Sequence, residues 1–285
     1  MPATLDTSLR QGTDALGAAL NLDPRESRLD AQILLCHALQ QPRSWLAAHD
    51  RDPFLPEQAA AFSALLQRRL QGEPIAYILG EREFYSLAFK VTPAVLIPRP
   101  ETELLVELAL ERLPADDSVR VLDLGTGSGA VAVTLALHRP LAKVIAVDQS
   151  STALEVAREN SQRLGAGNLS LIQSDWYSAL NGEKFNLIVS NPPYIAAADP
   201  HLTQGDVRFE PASALASGED GLDDIRTIIQ GATAHLKSNG WLLFEHGYDQ
   251  AAACRKLLAQ AGFKQVTSCA DLAGIERVSY GLWAS

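Results

Sequence analysis

Two stretches of the sequence have the residue types and spacing of a chemical site. The first is Asn191-Pro192-Pro193-Tyr194, which ends the apolar run Phe185-Asn186-Leu187-Ile188-Val189-Ser190. The run reads as a buried strand. Two successive prolines, with no N–H to give, stop its ladder at once. The Asn191 side chain and the Pro192 carbonyl are thereby held at a strand's carboxyl end, where open α/β sheets bind ligands. Two such acceptors suit the two N–H bonds of one planar –NH2 group, with Tyr194 packing beside it. A plain tight turn after a strand is the alternative. The second stretch is Val121-Leu122-Asp123-Leu124-Gly125-Thr126-Gly127-Ser128-Gly129-Ala130, a strand feeding a glycine-rich turn into a helix. Glycines there let backbone approach a ligand closely.

Which ligand the turn takes is a choice between two cofactors. Gly125, Gly127 and Ala130 satisfy the dinucleotide pattern, with Asp148 at about the ribose distance, so a hydride-transfer enzyme is a rival reading. Asp123 argues the other way: a carboxylate just before the loop disfavours a pyrophosphate and suits a cation. S-adenosylmethionine carries an α-ammonium and a sulfonium and no phosphate. The acceptor pair at Asn191 is likewise not something nicotinamide chemistry asks for. Asp148 would accept the ribose hydroxyls in either fold, a helix N-cap being its plainer role. In Asp175-Trp176 a carboxylate could take the adenine amino group while the indole covers the ring; Trp176 could equally be a core aromatic. Phe244-Glu245-His246-Gly247 reads as structural support.

These residues need elements to position them. From Val119 strands and helices alternate: strands at Val119–Leu124, Lys143–Val147, Leu169–Gln173, Phe185–Ser190 and Trp241–Glu245, then near 263–268 and 277–283. Helices are expected at Ala130–His138, Ser151–Leu164, Leu222–Leu236 and Tyr248–Ala261. This demands a mostly parallel sheet with helices on both faces. Residues up to about 75 read as helical. Asp23 is the N-cap, Pro24 the first-turn proline and Glu26 the capping-box acid of a helix to Leu39, with Leu29, Ile33, Cys36 and Leu39 on one face. A second helix follows Pro56, and smaller ones lie near 5–20 and 44–48. Glu83–Val91 reads as a β-hairpin between domains, and a helix opens at Arg99-Pro100-Glu101-Thr102-Glu103.

The composition bounds the rest. At 285 residues with 47% hydrophobic and 20% charged residues, the chain can hold two domains and a large core. A net charge of −10 argues against tight, non-specific nucleic-acid binding. The amino terminus lacks the pattern of a secretory signal, no stretch approaches a membrane span, and the three cysteines fit reduced cytosolic thiols without ligand spacing for a metal.

Taken in order, Gly-Glu-Pro-Ile-Ala-Tyr-Ile-x-Gly, Leu-Ile-Pro-Arg-Pro-Glu-Thr-Glu, Asp-Leu-Gly-Thr-Gly-Ser-Gly, Asn-Pro-Pro-Tyr-Ile, Asp206-Val207-Arg208-Phe209-Glu210-Pro211 and Phe-Glu-His-Gly closely resemble the HemK/PrmC-type protein-glutamine N5-methyltransferases. Asn-Pro-Pro-Tyr alone is shared with adenine-N6 methylating enzymes, which keeps a nucleic-acid substrate as an alternative; the full set is far more specific. The resemblance implies a Rossmann-like, seven-stranded class I S-adenosylmethionine-dependent methyltransferase domain over 98–285, a helical substrate-binding domain over 1–80, and a hairpin linker over 81–97. It implies S-adenosyl-L-methionine held by Gly125, Thr126, Gly127, Ser128, Gly129, Asp148, Trp176 and Asn191. It implies a glutamine of a Gly-Gly-Gln loop held by Asn191, Pro192, Pro193 and Tyr194, with Asn191, Pro192 and Tyr194 carrying the chemistry and no metal. The partner would be a peptide chain release factor, and the enzyme a cytoplasmic monomer touching neither nucleic acid nor membrane.

Overall fold

A side-chain cap starts the second helix of the amino-terminal unit: Asp23 Oδ1 accepts from the amides of Arg25 (2.7 Å) and Glu26 (3.0 Å), with Pro24 in the first turn. Asp23 thus caps through two backbone donors instead of the reciprocal box expected from the Glu26 side chain. The computed structural model describes residues 4–284, which form two compact units meeting between Gly80 and Glu81. The first is helical: α1 (Leu5–Leu20), α2 (Pro24–Leu39), α3 (Arg43–Ala48), α4 (Pro56–Leu70) and α5 (Ile75–Leu79). Its core gathers Leu5, Leu9, Leu16, Leu34, Leu35, Phe62 and Ile78. The buried stripe of α2 is Ser27, Ala31, Leu34, Leu35 and Leu39, while Leu29, expected inside, is 41% exposed. The stripe is turned because Arg69 of α4 is buried against α2, its Nε donating to Asp30 at 2.8 Å; periodicity of apolar residues alone carries no sign of such a pair.

The second unit opens with the antiparallel hairpin β1 (Glu81–Phe84) and β2 (Leu87–Lys90), turned at Tyr85 and Ser86 with both φ positive. Phe84 and Phe89 are buried in the main core, and the Lys90 amide donates to Asn160 at 2.7 Å. The hairpin is therefore bound into the second unit. Then follow α6 (Glu103–Arg112), β3 (Arg120–Leu124), α7 (Ala130–His138), β4 (Lys143–Asp148), α8 (Ser151–Leu164), β5 (Leu169–Gln173) and β6 (Phe185–Ser190). The chain ends through α9 (Asp223–His235), β7 (Leu236–Glu245), α10 (Ala251–Gln260), β8 (Lys264–Ala270) and β9 (Glu276–Trp283). The sheet runs β5-β4-β3-β6-β7-β9-β8, parallel through β7 and antiparallel at β9.

Successive residues of β3 serve opposite faces, as a pleat requires. Val121 joins a core with Leu105 of α6 and Leu135 of α7; Leu122 and Leu124 join one with Ile225 of α9 and Leu258 of α10. Strand β7 begins at Leu236, earlier than the expected Trp241. Leu236 pairs with Phe185, and the exposed Lys237, Ser238 and Asn239 loop out before Trp241 rejoins opposite Leu187. Three polar residues break the apolar pattern by which a strand is read.

Candidate active site

Strand register assembles the site. Leu124 at the end of β3 lies opposite Val147 of β4 and Ser190 of β6, and Ser190 lies opposite Phe244 of β7. The next residue on each strand is therefore Gly125, Asp148, Asn191 and Glu245, side by side along one sheet edge. The chain order reverses direction between β3 and β6, the switch point where doubly wound sheets leave a crevice. A cavity of about 380 Å³ opens there. Gly125, Thr126, Gly127, Ser128, Asp148, Trp176, Asn191 and Pro193 line it, as do Asp123 and Asp175. Of the residues read from the sequence, Gly129, Pro192 and Tyr194 are not on its wall.

The glycine turn is tied on both sides. Thr126 donates its amide to Val147 O (2.9 Å), and Gly127 donates to Asp148 Oδ2 (2.9 Å), whose other oxygen accepts from Ser150 (2.9 Å). Gly127 has φ 56° and open space where a Cβ would stand, so the turn presents bare backbone to the cavity. Gly129, at φ 81°, begins α7; a Cβ there would come within 3.2 Å of Ala157, so glycine sets the close approach to α8. Burial raises the Asp148 carboxyl, and its backbone amide donors pull the other way. Trp176 sits at φ 45°, a conformation that a bulky side chain adopts only when held there. Its ring edge lies 3.5 Å from where a Cβ on Gly125 would be, so it roofs the turn.

Asp123 is 1% exposed and accepts from the Thr126 hydroxyl at 2.6 Å. Burial pushes its pKa up to about 7, the Asp148 charge adding to the rise and the Thr126 hydrogen bond opposing it. Among the described residues no cation is hydrogen-bonded to this buried carboxylate on the cavity wall.

The Asn191 corner is the most tightly specified. Its Nδ2 donates to Thr102 Oγ1 at 3.0 Å, and its Oδ1 is buried with no partner. Thr102 in turn donates to Glu245 Oε2 at 2.7 Å, and the Tyr194 hydroxyl donates to Glu245 Oε1 at 3.1 Å. Tyr194 is thus turned toward Glu245 and away from the cavity; burial, then the Glu245 charge, holds its phenol protonated. Glu245, 1% exposed, is pushed up to about 7 by burial, against the two hydroxyl donors. His246, buried beside it, uses Nδ1 on Gly247 O (2.9 Å) and Nε2 on Ser279 (2.8 Å) and stays neutral, its pKa lowered by burial. It is a core histidine.

Some contacts at the site join residues whose pairing no motif announces. Glu210 is buried, pairs with Arg99 and accepts the Ile97 amide at 3.0 Å, so the Arg99 and Val207–Pro211 segments are clamped together at the rim. Pro211, Ser213 and Ala214 then reach the cavity. Gln250 holds the Tyr194 carbonyl (2.9 Å) and the Gly247 amide (2.8 Å), fixing the path after the two prolines. Among the described residues no group of histidine, cysteine and carboxylate side chains could hold a metal, and no helix is long and apolar enough to cross a membrane.

A doubly wound seven-stranded sheet with an antiparallel β9, a glycine turn after its first strand and an acid ending its second is the class I S-adenosylmethionine-dependent methyltransferase fold. A solved methyltransferase from Pyrococcus furiosus has this fold, with TM-score 0.54 at 17% identity, over 78% of this chain and 100% of that one. The PrmC N-terminal domain matches residues 8–80, and the Methyltransferase small domain matches residues 101–274. The release factor glutamine methyltransferase of Bordetella pertussis is 54% identical over 91% of this chain and 96% of its own. That of Xylella fastidiosa strain 9a5c is 51% identical over 90% and 94%. The chain belongs to the release factor glutamine methyltransferases.

Proposed function

We propose that the chain transfers a methyl group from S-adenosylmethionine to the side-chain amide nitrogen of the glutamine in the Gly-Gly-Gln loop of peptide chain release factors. The observation that carries this is the unpartnered, buried Oδ1 of Asn191, an acceptor on the wall of the same cavity as the glycine turn. A buried acceptor without a donor is costly unless a ligand supplies one.

The residues present fit the cofactor. The glycine turn offers bare backbone at Gly127 against which it can lie, Asp123 a countercharge for its ammonium, and Asp148 and Asp175 acceptors for hydroxyl and amino groups, with Trp176 over the ring. S-adenosylmethionine, when bound, supplies a methyl group on a positively charged sulfur. The protein's own task is to make a poor nucleophile attack. The lone pair of an amide nitrogen is delocalised, and the nitrogen gains positive charge as it bonds to carbon. Asn191 Oδ1 accepts one of its N–H bonds, turns the lone pair toward the donor and stabilises the growing charge with a dipole already in place. Tyr194 contributes through Glu245. The proton leaves after transfer, so no strong base is needed; His246, occupied in the core, is not one.

The helical unit grips the release factor away from the chemistry. The enzyme works as a cytoplasmic monomer that touches neither nucleic acid nor membrane. Incubating the protein with isotope-labelled S-adenosylmethionine and purified release factor, with tRNA, rRNA and DNA as controls, tests the reading. Label on the factor alone is expected; label on a nucleic acid and none on the factor would overturn it.

A further inference from the structure

A primary amide can sit in its pocket two ways, and only one of them is useful at residue 191. With Nδ2 inward and Oδ1 toward the cavity, Asn191 accepts from a substrate –NH2. Flipped, it meets that –NH2 with another. Backbone position does not decide between the two; what decides is the hydrogen-bonding partner on the inner side.

That partner is Thr102, whose hydroxyl could either donate to an inward Oδ1 or accept from an inward Nδ2. Its proton is already placed on Glu245 Oε2 at 2.7 Å, which leaves only its lone pairs for Asn191. Glu245 is what removes the choice. Above about pH 7, where its burial-raised carboxyl is ionised, Glu245 accepts only, and its second oxygen accepts from the Tyr194 hydroxyl. A glutamine at 245 would turn an N–H toward one of the two hydroxyls and reopen the ambiguity. One further fact favours an assigned task over packing. Glu245 is a buried carboxylate without a hydrogen-bonded cation, an arrangement that costs stability, so stability does not explain its presence.

We propose that Glu245 and Thr102 are positioning residues that lock the Asn191 amide with its oxygen toward the substrate. The orientation set by the strand register delivers them together: Asn191 and Glu245 are neighbours at the ends of β6 and β7, and Thr102 enters from the turn before α6. The consequence for catalysis rests on the proposed amide methylation; the lock itself does not.

The test uses the full chain in three variants. Thr102→Val keeps the shape and removes the hydroxyl, Thr102→Ser keeps the hydroxyl, and Glu245→Gln removes the acceptor-only character. In the protein without ligands, the 15N-labelled Asn191 side-chain amide, assigned by its loss in Asn191→Ala, is followed by NMR. The expected result is two well-separated, slowly exchanging N–H signals in the parent and Thr102→Ser, with exchange accelerated at least about tenfold in Thr102→Val. Single-turnover methyl transfer to release factor should fall more than about tenfold in Thr102→Val with cofactor affinity within about twofold. Thr102→Ser should recover most of the rate, and Glu245→Gln should fall between. An Asn191 amide unchanged in both Thr102→Val and Glu245→Gln would overturn the proposal. So would a rate loss that tracks lost thermal stability and cofactor affinity, with serine no better than valine. If the parent fails to methylate release factor at all, the functional reading falls instead, and the NMR arm still decides the lock.

Discussion

Replacing Asp123 by asparagine should make the free protein more stable and the cofactor bind worse, and the first effect should depend on pH. Asp123 titrates near 7 when folded against an ordinary 3.8, so folding raises its pKa. A raised carboxyl pKa means that the folded state holds the proton more tightly. Stability from this group is therefore greatest below about pH 4, is lost as pH rises from 4 to 7, and is flat above. The gap corresponds to about 4 kcal/mol of cost at pH 8, at about 1.4 kcal/mol for each unit. Asp123→Asn removes that cost, which already includes the favourable Thr126 hydrogen bond. The net expectation is a gain of about 4 kcal/mol at pH 8, shrinking to about 2 kcal/mol at pH 5 and vanishing near pH 4, read by urea denaturation of the free protein. Calorimetry with S-adenosylmethionine at pH 8 should give about 10–100-fold weaker binding, since a charge-assisted contact to the ammonium is lost. In the parent, affinity should rise with pH up to about 7 and then level. Equal destabilisation at both pH values, or unchanged affinity, would refute the assignment of Asp123 as countercharge.

Three further outcomes are expected. Asn191→Ala should slow single-turnover transfer by about 100-fold or more while leaving cofactor affinity within a few-fold, because the lost acceptor matters most as charge builds on nitrogen; Asn191→Asp, which keeps an oxygen there, should retain more activity than alanine. Asp148→Ala should weaken cofactor binding more than about tenfold and also speed hydrogen exchange at the Gly127 amide, since that carboxylate ties the glycine turn as well as facing the cavity; a turn as protected as in the parent would contradict the tie. A chain beginning at Glu81 should still bind S-adenosylmethionine and lose transfer to intact release factor, and full activity of that chain would remove the gripping role given to the helical unit.

The parallel sheet was legible because buried strands such as Phe185–Ser190 and Val121–Leu124 are continuous apolar runs, and each run ends in a residue that no strand interior would tolerate. Gly125, Asp148 and Asn191 each end such a run, and the family resemblance implied that they share one cofactor site; the strand register that sets them side by side comes from the structure. What stayed hidden involves pairs far apart in sequence. Glu245 reads as a polar strand end, and only its distance to Thr102, 143 residues away, reveals its role. Arg99 and Glu210 are each conspicuous in a motif, but the clamp between them belongs to the fold. Tyr194 was read as a wall of the amide pocket, and the carboxylate that draws its hydroxyl inward is invisible to spacing. The outward turn of Leu29 has the same origin, in the buried Arg69 and Asp30.

The central claim is that Asn191 receives the side-chain amide of a glutamine. It is tested most directly by methylating a purified release factor with this protein and locating the added methyl by fragmentation mass spectrometry. The account predicts one methyl group on the side-chain nitrogen of the glutamine in the Gly-Gly-Gln loop, and none when that glutamine is replaced by alanine. A methyl group found on any other residue, or undiminished when the glutamine is absent, would contradict it.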